Sequence, residues 1–235
     1  MLFRSSLFLL RHLRSLNLAG NFFYYSLISS EFGNFKTLTH LNLSNSGFSG
    51  KIPYEISHLS SLVSLDLSYN SQLIIETPVW KRVVDNLTLL RELLLDGTNM
   101  SSIRPNSLMN LSSSLTTLSL HECDLRGKLE NNILCLPSIQ TLDLTGNSNL
   151  EGSLLMFSRE FLNSIDNLKS LKHLALPNCN FTGSIPAWLG NFTKLTYLDL
   201  SSNNFNGEIL LPLLNFRSFW LMHQTNNFLI FGEYF

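Results

Sequence analysis

The stretch LTHLNLSNSGFSGKIP, residues 38–53, decides the fold. Its first half sets Leu38, Leu41 and Leu43 at spacings of three and two and ends on the small polar Ser46. Apolar and polar residues alternate through Leu41 and Leu43, which predicts a short strand with one buried face. Its second half, Phe48-Ser49-Gly50-Lys51-Ile52-Pro53, brings the chain back. Glycine permits the bend there, and proline fixes the extended turn that follows.

Working outward, the unit L-x-x-L-x-L-x-x-N recurs along the chain. It reads Leu13, Leu16, Leu18, Asn21, and after the quoted copy Leu62, Leu65, Leu67, Asn70. Then come Leu90, Leu93, Leu95, Thr98; Leu115, Leu118, Leu120, Cys123; and Ile139, Leu142, Leu144, Asn147. Leu171, Leu174, Leu176, Cys179 and Leu195, Leu198, Leu200, Asn203 complete the series. Successive copies start 25, 24, 28, 25, 24, 32 and 24 residues apart. One copy cannot bury its own leucines, whereas stacked copies align their strands in parallel and close a continuous core. The expected fold is an α/β leucine-rich-repeat solenoid. A parallel sheet lines its concave face, with loops, 3-10 turns and short helices on the convex face. Residues 1–215 read as an array of about eight repeats, and 216–235 as a degenerate ninth repeat or frayed tail. A ninth motif on Phe219, Met222 and Asn227 puts Gln224 at a buried leucine position.

Asparagine at the last motif position bonds neighbouring backbone groups and makes a ladder between repeats, each bond worth about 1 kcal/mol net. Thr98, Cys123 and Cys179 stand as small substitutes there, so the two cysteines are expected as buried free thiols. Cys135, between Leu134 and Leu136 in the return segment, is expected to point partly outward and is the one thiol with a reactive reading beside the structural one. With three cysteines and no close pair, neither a disulfide framework nor a zinc spacing is indicated. No cofactor site is expected.

Apolar residues make up 44% of the 235, enough for a sizeable core, and charged residues only 14%. A formal net charge of −1 argues against nucleic acid and anionic membranes as partners. The run Leu7–Leu10 is short and is followed by Arg11, His12 and Arg14, so the start is expected to be a repeat edge rather than a signal peptide. The tail carries Arg217, His223 and Glu233 among its apolar residues, which argues against a span there.

The return half recurs as Phe181-Thr182-Gly183-Ser184-Ile185-Pro186 and as Phe205-Asn206-Gly207-Glu208-Ile209. Weaker forms are Leu125-Arg126-Gly127-Lys128-Leu129 and Leu150-Glu151-Gly152-Ser153-Leu154. This half resembles the plant-type extracellular leucine-rich repeat. The phrases LRSLNLAGN, LTHLNLSNSGFSGKIP and LRELLLDGTNMSS resemble the plant receptor-like proteins of disease resistance, including the tomato leaf-mould and Verticillium-wilt receptors. The resemblance covers about residues 7–215. It implies a long extracellular horseshoe, one membrane span, no kinase, and signalling through partner receptor kinases. Against that plan the sequence shows no paired-cysteine cap and no span, and it reads as a segment of a longer receptor.

Two copies are long. Ser71–Leu89 is expected to be a convex excursion with one or two helical turns over Val79–Asn86. In Leu154–Ser170, Phe157, Phe161, Ile165 and Leu168 share one helix face. That helix reads as packing on the solenoid or, alternatively, as a docking island for a partner.

The positions flanking the strand leucines line the concave face. Most are Ser, Thr and Asn. The exceptions are Tyr69, Arg91, Glu92, Leu94, His121, Glu122, Lys172, His173 and Tyr197, the expected ligand contacts, since aromatic and charged groups anchor interfaces. The pairs His121–Glu122 and Lys172–His173 invite an acid–base reading, but an open sheet face neither excludes water nor tunes pKa values. Six N-x-S/T sequons occur, at Asn42, Asn86, Asn99, Asn110, Asn180 and Asn191. Chance alone gives roughly five in so Asn- and Ser-rich a sequence, so secretion is implied by the resemblance and not by the count.

The function expected is recognition of an extracellular peptide, protein or glycan at the plasma-membrane surface or apoplast, in defence, without catalysis. The alternatives are a secreted inhibitor resembling polygalacturonase-inhibiting proteins, which have caps this chain lacks, and a non-signalling truncated remnant.

Overall fold

The computed structural model describes residues 6–129, 136–154, 170–207 and 219–220. Cys135, the Phe157–Leu168 excursion and the tail beyond Trp220 lie outside the described residues.

Every described copy of the motif forms a strand. In chain order these are β1 (Ser15–Asn17), β2 (His40–Asn42), β3 (Ser64–Asp66), β4 (Glu92–Leu94) and β5 (Thr117–Ser119). They continue with β6 (Thr141–Asp143), β7 (His173–Ala175), β8 (Tyr197–Asp199) and β9 (Phe219–Trp220). The nine form one sheet in sequence order, each neighbour parallel. The second leucine of each motif sits opposite the next one, so Leu65, Leu93, Leu118, Leu142, Leu174 and Leu198 run straight across it.

Period two explains why this register is firm. A slip by one residue would turn every buried leucine toward water. Leu41, Leu65, Leu93, Leu118, Leu142, Leu174 and Leu198 are all buried. The return segments bring Phe48, Ile52, Phe181, Ile185 and Phe205 into the same core. Short 3-10 helices, such as Tyr54–His58 and Ala187–Asn191, turn the chain on the convex side and deliver Leu59 and Phe192 inward.

The ladder is as expected in kind and uneven in strength. The Asn147 amide donates to Leu120 O at 2.8 Å and Leu144 O at 2.7 Å. Its oxygen accepts the backbone N–H groups of Cys123 (3.1 Å) and Leu125 (3.0 Å). Asn70 repeats the pattern on Leu43 O, Leu67 O, Ser46 N and Phe48 N. Cys123 and Cys179 are buried free thiols, each donating to a carbonyl of the preceding repeat at 3.2 Å. Burial pushes the Cys179 thiol up to about 12 and raises Cys123 as well, so both are protonated at neutral pH. Thr98 fits the slot least well: its hydroxyl is buried without a partner.

The structure adds a second sheet that the expected loops did not include. The return segments Arg126–Leu129, Asn149–Ser153, Asn180–Ser184 and Asn204–Asn206 pair in parallel along the flank. Gly152 sits here without a left-handed φ. A Cβ on it would stand 2.5 Å from the Phe181 ring, so close packing demands this glycine and a bend does not. At Gly50 the expected bend is present, at φ 76°.

The convex excursion of repeat three is a ten-residue helix, α1 (Thr77–Asn86), starting two residues before the expected Val79. Pro78 fits its first turn, where no N–H partner is needed. Val79, Trp80 and Val83 are buried, and Trp80 donates Nε1–H to Ser107 Oγ at 2.8 Å. At the other end, β9 corrects the expected register of the ninth motif. Phe219 pairs with Leu198, the second leucine of its motif, not the first. Gln224 lies outside the described residues.

Two substitutions in the ladder should behave oppositely. Asn147→Ala strands two buried N–H groups and should cost about 3–5 kcal/mol. Thr98→Val removes an unpaired hydroxyl at constant shape and should be neutral or stabilise by up to about 1 kcal/mol. Urea unfolding midpoints of the two variants check both.

Candidate functional site

The concave face is built from the positions between the buried leucines, and its geometry follows from the strand ends. At the last residue of most strands stands Asn or Asp, and its side chain turns the chain by accepting the backbone N–H two residues on. Asn17 caps Ala19, Asn42 caps Ser44, Asp66 caps Ser68, Asp143 caps Thr145 and Asp199 caps Ser201, all at 2.9–3.0 Å. The signature is visible in the sequence as N-L-S, D-L-S and D-L-T, though it had read as ordinary solvated surface. The acidic row Asp66, Asp143 and Asp199 is thus partly structural, each giving one carboxylate oxygen to its own turn.

Repeats four and five break the pattern together. Leu94 and Ser119 occupy the capping position, and Asp96 reaches across instead. Asp96 Oδ1 accepts Ser119 Oγ–H at 2.6 Å and His121 N–H at 2.9 Å. Asp96 as a whole is 8% exposed. It sets the backbone that presents His121, a role sequence reasoning missed.

One position further along, every repeat enters the left-handed region: Gly20, Asn45, Tyr69, Gly97, Glu122, Gly146, Asn178 and Ser202. Glycine and asparagine take φ near +60° readily. Tyr69 (φ 57°) and Glu122 (φ 52°) do not, and side chains there cost about 1–2 kcal/mol. Strain of this kind persists where the surrounding structure imposes it, and it clusters at functional positions. The Tyr69 side chain stands 63% exposed. Its hydroxyl is raised above its ordinary pKa, first by the charge of Asp96, then by partial burial and by Asp143, Asp66 and Glu122.

The expected contact residues fall into two groups. Arg91 and Glu92 are exposed on and beside β4, with Leu94 half-buried at its end. Tyr69 and the His121–Glu122 pair, joined at 3.5 Å between Nε2 and Oε1, project from the turns after β3 and β5. Farther along, His173 on β7 lies directly opposite Tyr197 on β8, their rings stacked 4.1 Å apart and 1° from parallel. Lys172 is exposed beside them. Burial lowers the His173 pKa, partly opposed by Asp143 and Asp199. Tyr197 is raised by burial and by Asp199, whose Oδ2 accepts the phenol at 3.3 Å. Between the two groups lies β6, which presents Thr141 and Asp143 outward.

The arrangement is an open face. A cleft of about 390 Å³ lies elsewhere, over the flank sheet, lined by Lys128, Glu151, Gly152, Ser153, Asn180 and Thr182. No group of three or more His, Cys, Asp or Glu with metal-binding proximity occurs among the described residues. No helix among them is long and apolar enough to cross a membrane.

Stacked short parallel strands, asparagine ladder and turn-capping Asx residues define a leucine-rich-repeat protein, and leucine-rich-repeat family models match residues 11–71, 170–192 and 193–214. Receptor-like protein 6 of Arabidopsis thaliana is 40% identical over 200 residues, covering 83% of this chain and 19% of that protein. Receptor-like protein Cf-9 of Solanum pimpinellifolium is 39% identical over 191 residues, covering 81% of this chain and 21% of its own length. Among solved structures, the ectodomain of the Arabidopsis receptor kinase HAESA in complex with a peptide hormone superposes with a TM-score of 0.74 at 31% identity, over 92% of this chain and 34% of that one. The chain belongs to the plant leucine-rich-repeat receptor-like proteins, and it spans about a fifth of the length of the curated relatives it matches.

Two measurements probe this face. His173 should titrate below 6.5 by NMR, and Tyr197→Ser, which uncovers the ring, should bring its pKa back toward that value. Because the folded pKa is depressed, the stability tied to the neutral ring is present above the unfolded pKa and is lost as pH falls from there through the folded pKa. Tyr69→Gly should raise the urea midpoint, relieving about 1 kcal/mol of left-handed strain.

Proposed function

We propose that this chain is the ligand-recognition segment of a plant cell-surface receptor-like protein. It acts in defence signalling at the extracellular face of the plasma membrane and engages partner receptor kinases to signal. It binds a peptide, protein or glycan on the concave face and performs no catalysis. The observation that carries this reading is the alignment of Arg91, Glu92, His121, Glu122, Lys172, His173 and Tyr197 on one open face. From β4 to β8 this face spans four strand spacings, about 19 Å, the length of about six residues of extended chain. In the same reading, residues 1–215 are the repeat array and 216–235 a ninth, degenerate repeat.

The rest of the reading follows from physics. A face open to water neither desolvates a reacting group nor holds it at low dielectric, so it favours binding over chemistry. Both signs of charge are present: Arg91 and Lys172 stand on the side where the strands begin, with Glu92 beside Arg91, and Asp66, Asp143 and Asp199 stand where they end. A ligand lying along the solenoid axis meets both cations and one carboxylate on one flank and only carboxylates on the other. Complementary charge of this kind gives orientation and on-rate more than raw affinity.

Capture from apoplastic fluid is the test. The chain should retain a peptide or protein that Glu92→Lys and Tyr197→Ala release, with unfolding midpoints unchanged. Recovery of a polygalacturonase whose hydrolysis the chain slows would instead establish the inhibitor.

A further inference from the structure

Five strand ends of the concave face carry the same Asx turn, and only one can be modified. Asp66, Asp143 and Asp199 have no amide, and Asn17 is followed by Leu18-Ala19. Asn42 is followed by Leu43-Ser44 and completes a sequon on the concave sheet itself. Its side-chain oxygen is held twice, accepting Ser44 N–H at 2.9 Å and Ser44 Oγ–H at 2.7 Å. Because the amide is planar, fixing the oxygen fixes the nitrogen: Nδ2 is aimed away from the turn, on a half-buried residue of the concave face. The surroundings suit a sugar. Ser15, Asn17, Thr39, His40, Ser44 and Asn45 are neutral or weakly basic hydrogen-bonding groups, with Arg14 the one charged neighbour, at the outer edge beside β1.

We propose that Asn42 carries an N-linked glycan that closes the repeat-two end of the concave face and confines the ligand to repeats four to eight. This rests on the extracellular reading above. Transfer occurs on the nascent chain and joins Asn42 Nδ2 to the anomeric carbon of a lipid-pyrophosphate-linked oligosaccharide. The sugar–phosphate bond breaks, and the lipid pyrophosphate leaves with its electron pair as one amide proton is lost. On folding, the Ser44 bonds hold the first sugar in one direction. From β2 to β4 is two strand spacings, about 10 Å, within reach of the first few sugars. The glycan thereby ends the groove beside Arg91 and Glu92 without touching the strands beyond.

The test is to secrete the full chain from plant cells, map glycopeptides by mass spectrometry, and measure the modification rate of His40 with diethyl pyrocarbonate. His40 is exposed two residues before Asn42 on the same strand. The expected result is a modified Asn42 and a slow His40. His40 should speed up severalfold in Ser44→Ala, with His121 unchanged. Ser44→Ala destroys the sequon yet keeps the backbone bond to Asn42 Oδ1. Enzymatic removal of glycans from the folded wild-type chain gives the same comparison without a substitution. A bare Asn42 alongside a modified Asn99 or Asn180 overturns the proposal and leaves the extracellular reading intact. A secreted chain bare at every sequon overturns both. A modified Asn42 with His40 equally fast in all forms overturns the closure.

Discussion

One buried side-chain amide that bonds two repeats at once is the constraint on which this molecule depends. At each turn after a concave strand the backbone dives into the core, where its N–H and C=O groups lose water. Asn147 answers four of them, two N–H groups from repeat five and a carbonyl from each of repeats five and six. A buried group left unpaired costs about 1–3 kcal/mol, so a residue serving four sets the distance and rotation between neighbours. A leucine core alone tolerates small slides. The amide does not, because its donors and acceptors point in fixed directions. Where Thr98, Cys123 or Cys179 replaces it, fewer groups are served, and the register there rests more on the leucines and the flank sheet.

The functional face inherits its order from that constraint. Rows across nine parallel strands stay aligned only if each repeat repeats its neighbour's turn. The turn residues then lose their independence. Asp66, Asp143 and Asp199 are fixed by the Asx turns, and the position three residues beyond is left-handed in all eight described turns. Asp96 shows what happens when the local cap is missing: the neighbour supplies it, and a carboxylate becomes buried to do so. A single repeat is therefore not the unit of the site. His121 is positioned by a residue 25 places earlier, in the preceding turn of the solenoid.

The leucine spacing made the solenoid, the strand positions, the parallel sheet and the ladder legible, because each is a matter of period and of one residue type at one place. What the sequence concealed depends on neighbours in space. The flank sheet was hidden because Asn-Phe-Thr-Gly-Ser reads as turn chemistry until the adjacent repeat pairs with it. Gly152 looked like a bend and is a cushion for Phe181. The capping role of Asp96 was unreadable because its partners lie in another repeat. The start of α1 was placed two residues late because Thr77-Pro78 reads as a turn, whereas proline fits the first turn of a helix, where its missing N–H has no partner to lose. The ninth motif was placed three residues late because Phe219 is an equally good first or second leucine until a strand partner decides. Of the concave contacts, position and exposure were legible; the His173–Tyr197 stack and the strain at Tyr69 were not.

On the proposed reading, an open sheet cannot gain affinity by enclosing its ligand, so it must lose little on binding. Stiff strands hold Arg91, Glu92 and Lys172 in position, and the stacked rings of His173 and Tyr197 have already surrendered their rotamer freedom in the unbound state. Ordering a flexible side chain at an interface costs about 0.5–1.5 kcal/mol, and here the fold has borne that cost beforehand. Tyr69, in the turn after β3, is a separate case. Glycine would be cheaper at its left-handed position, yet a mostly exposed tyrosine stands there in the field of Asp96. Its strain of about 1–2 kcal/mol sits in a turn that the flanking repeats adopt as well, at Asn45 and Gly97, so the stack imposes the conformation that the side chain resists.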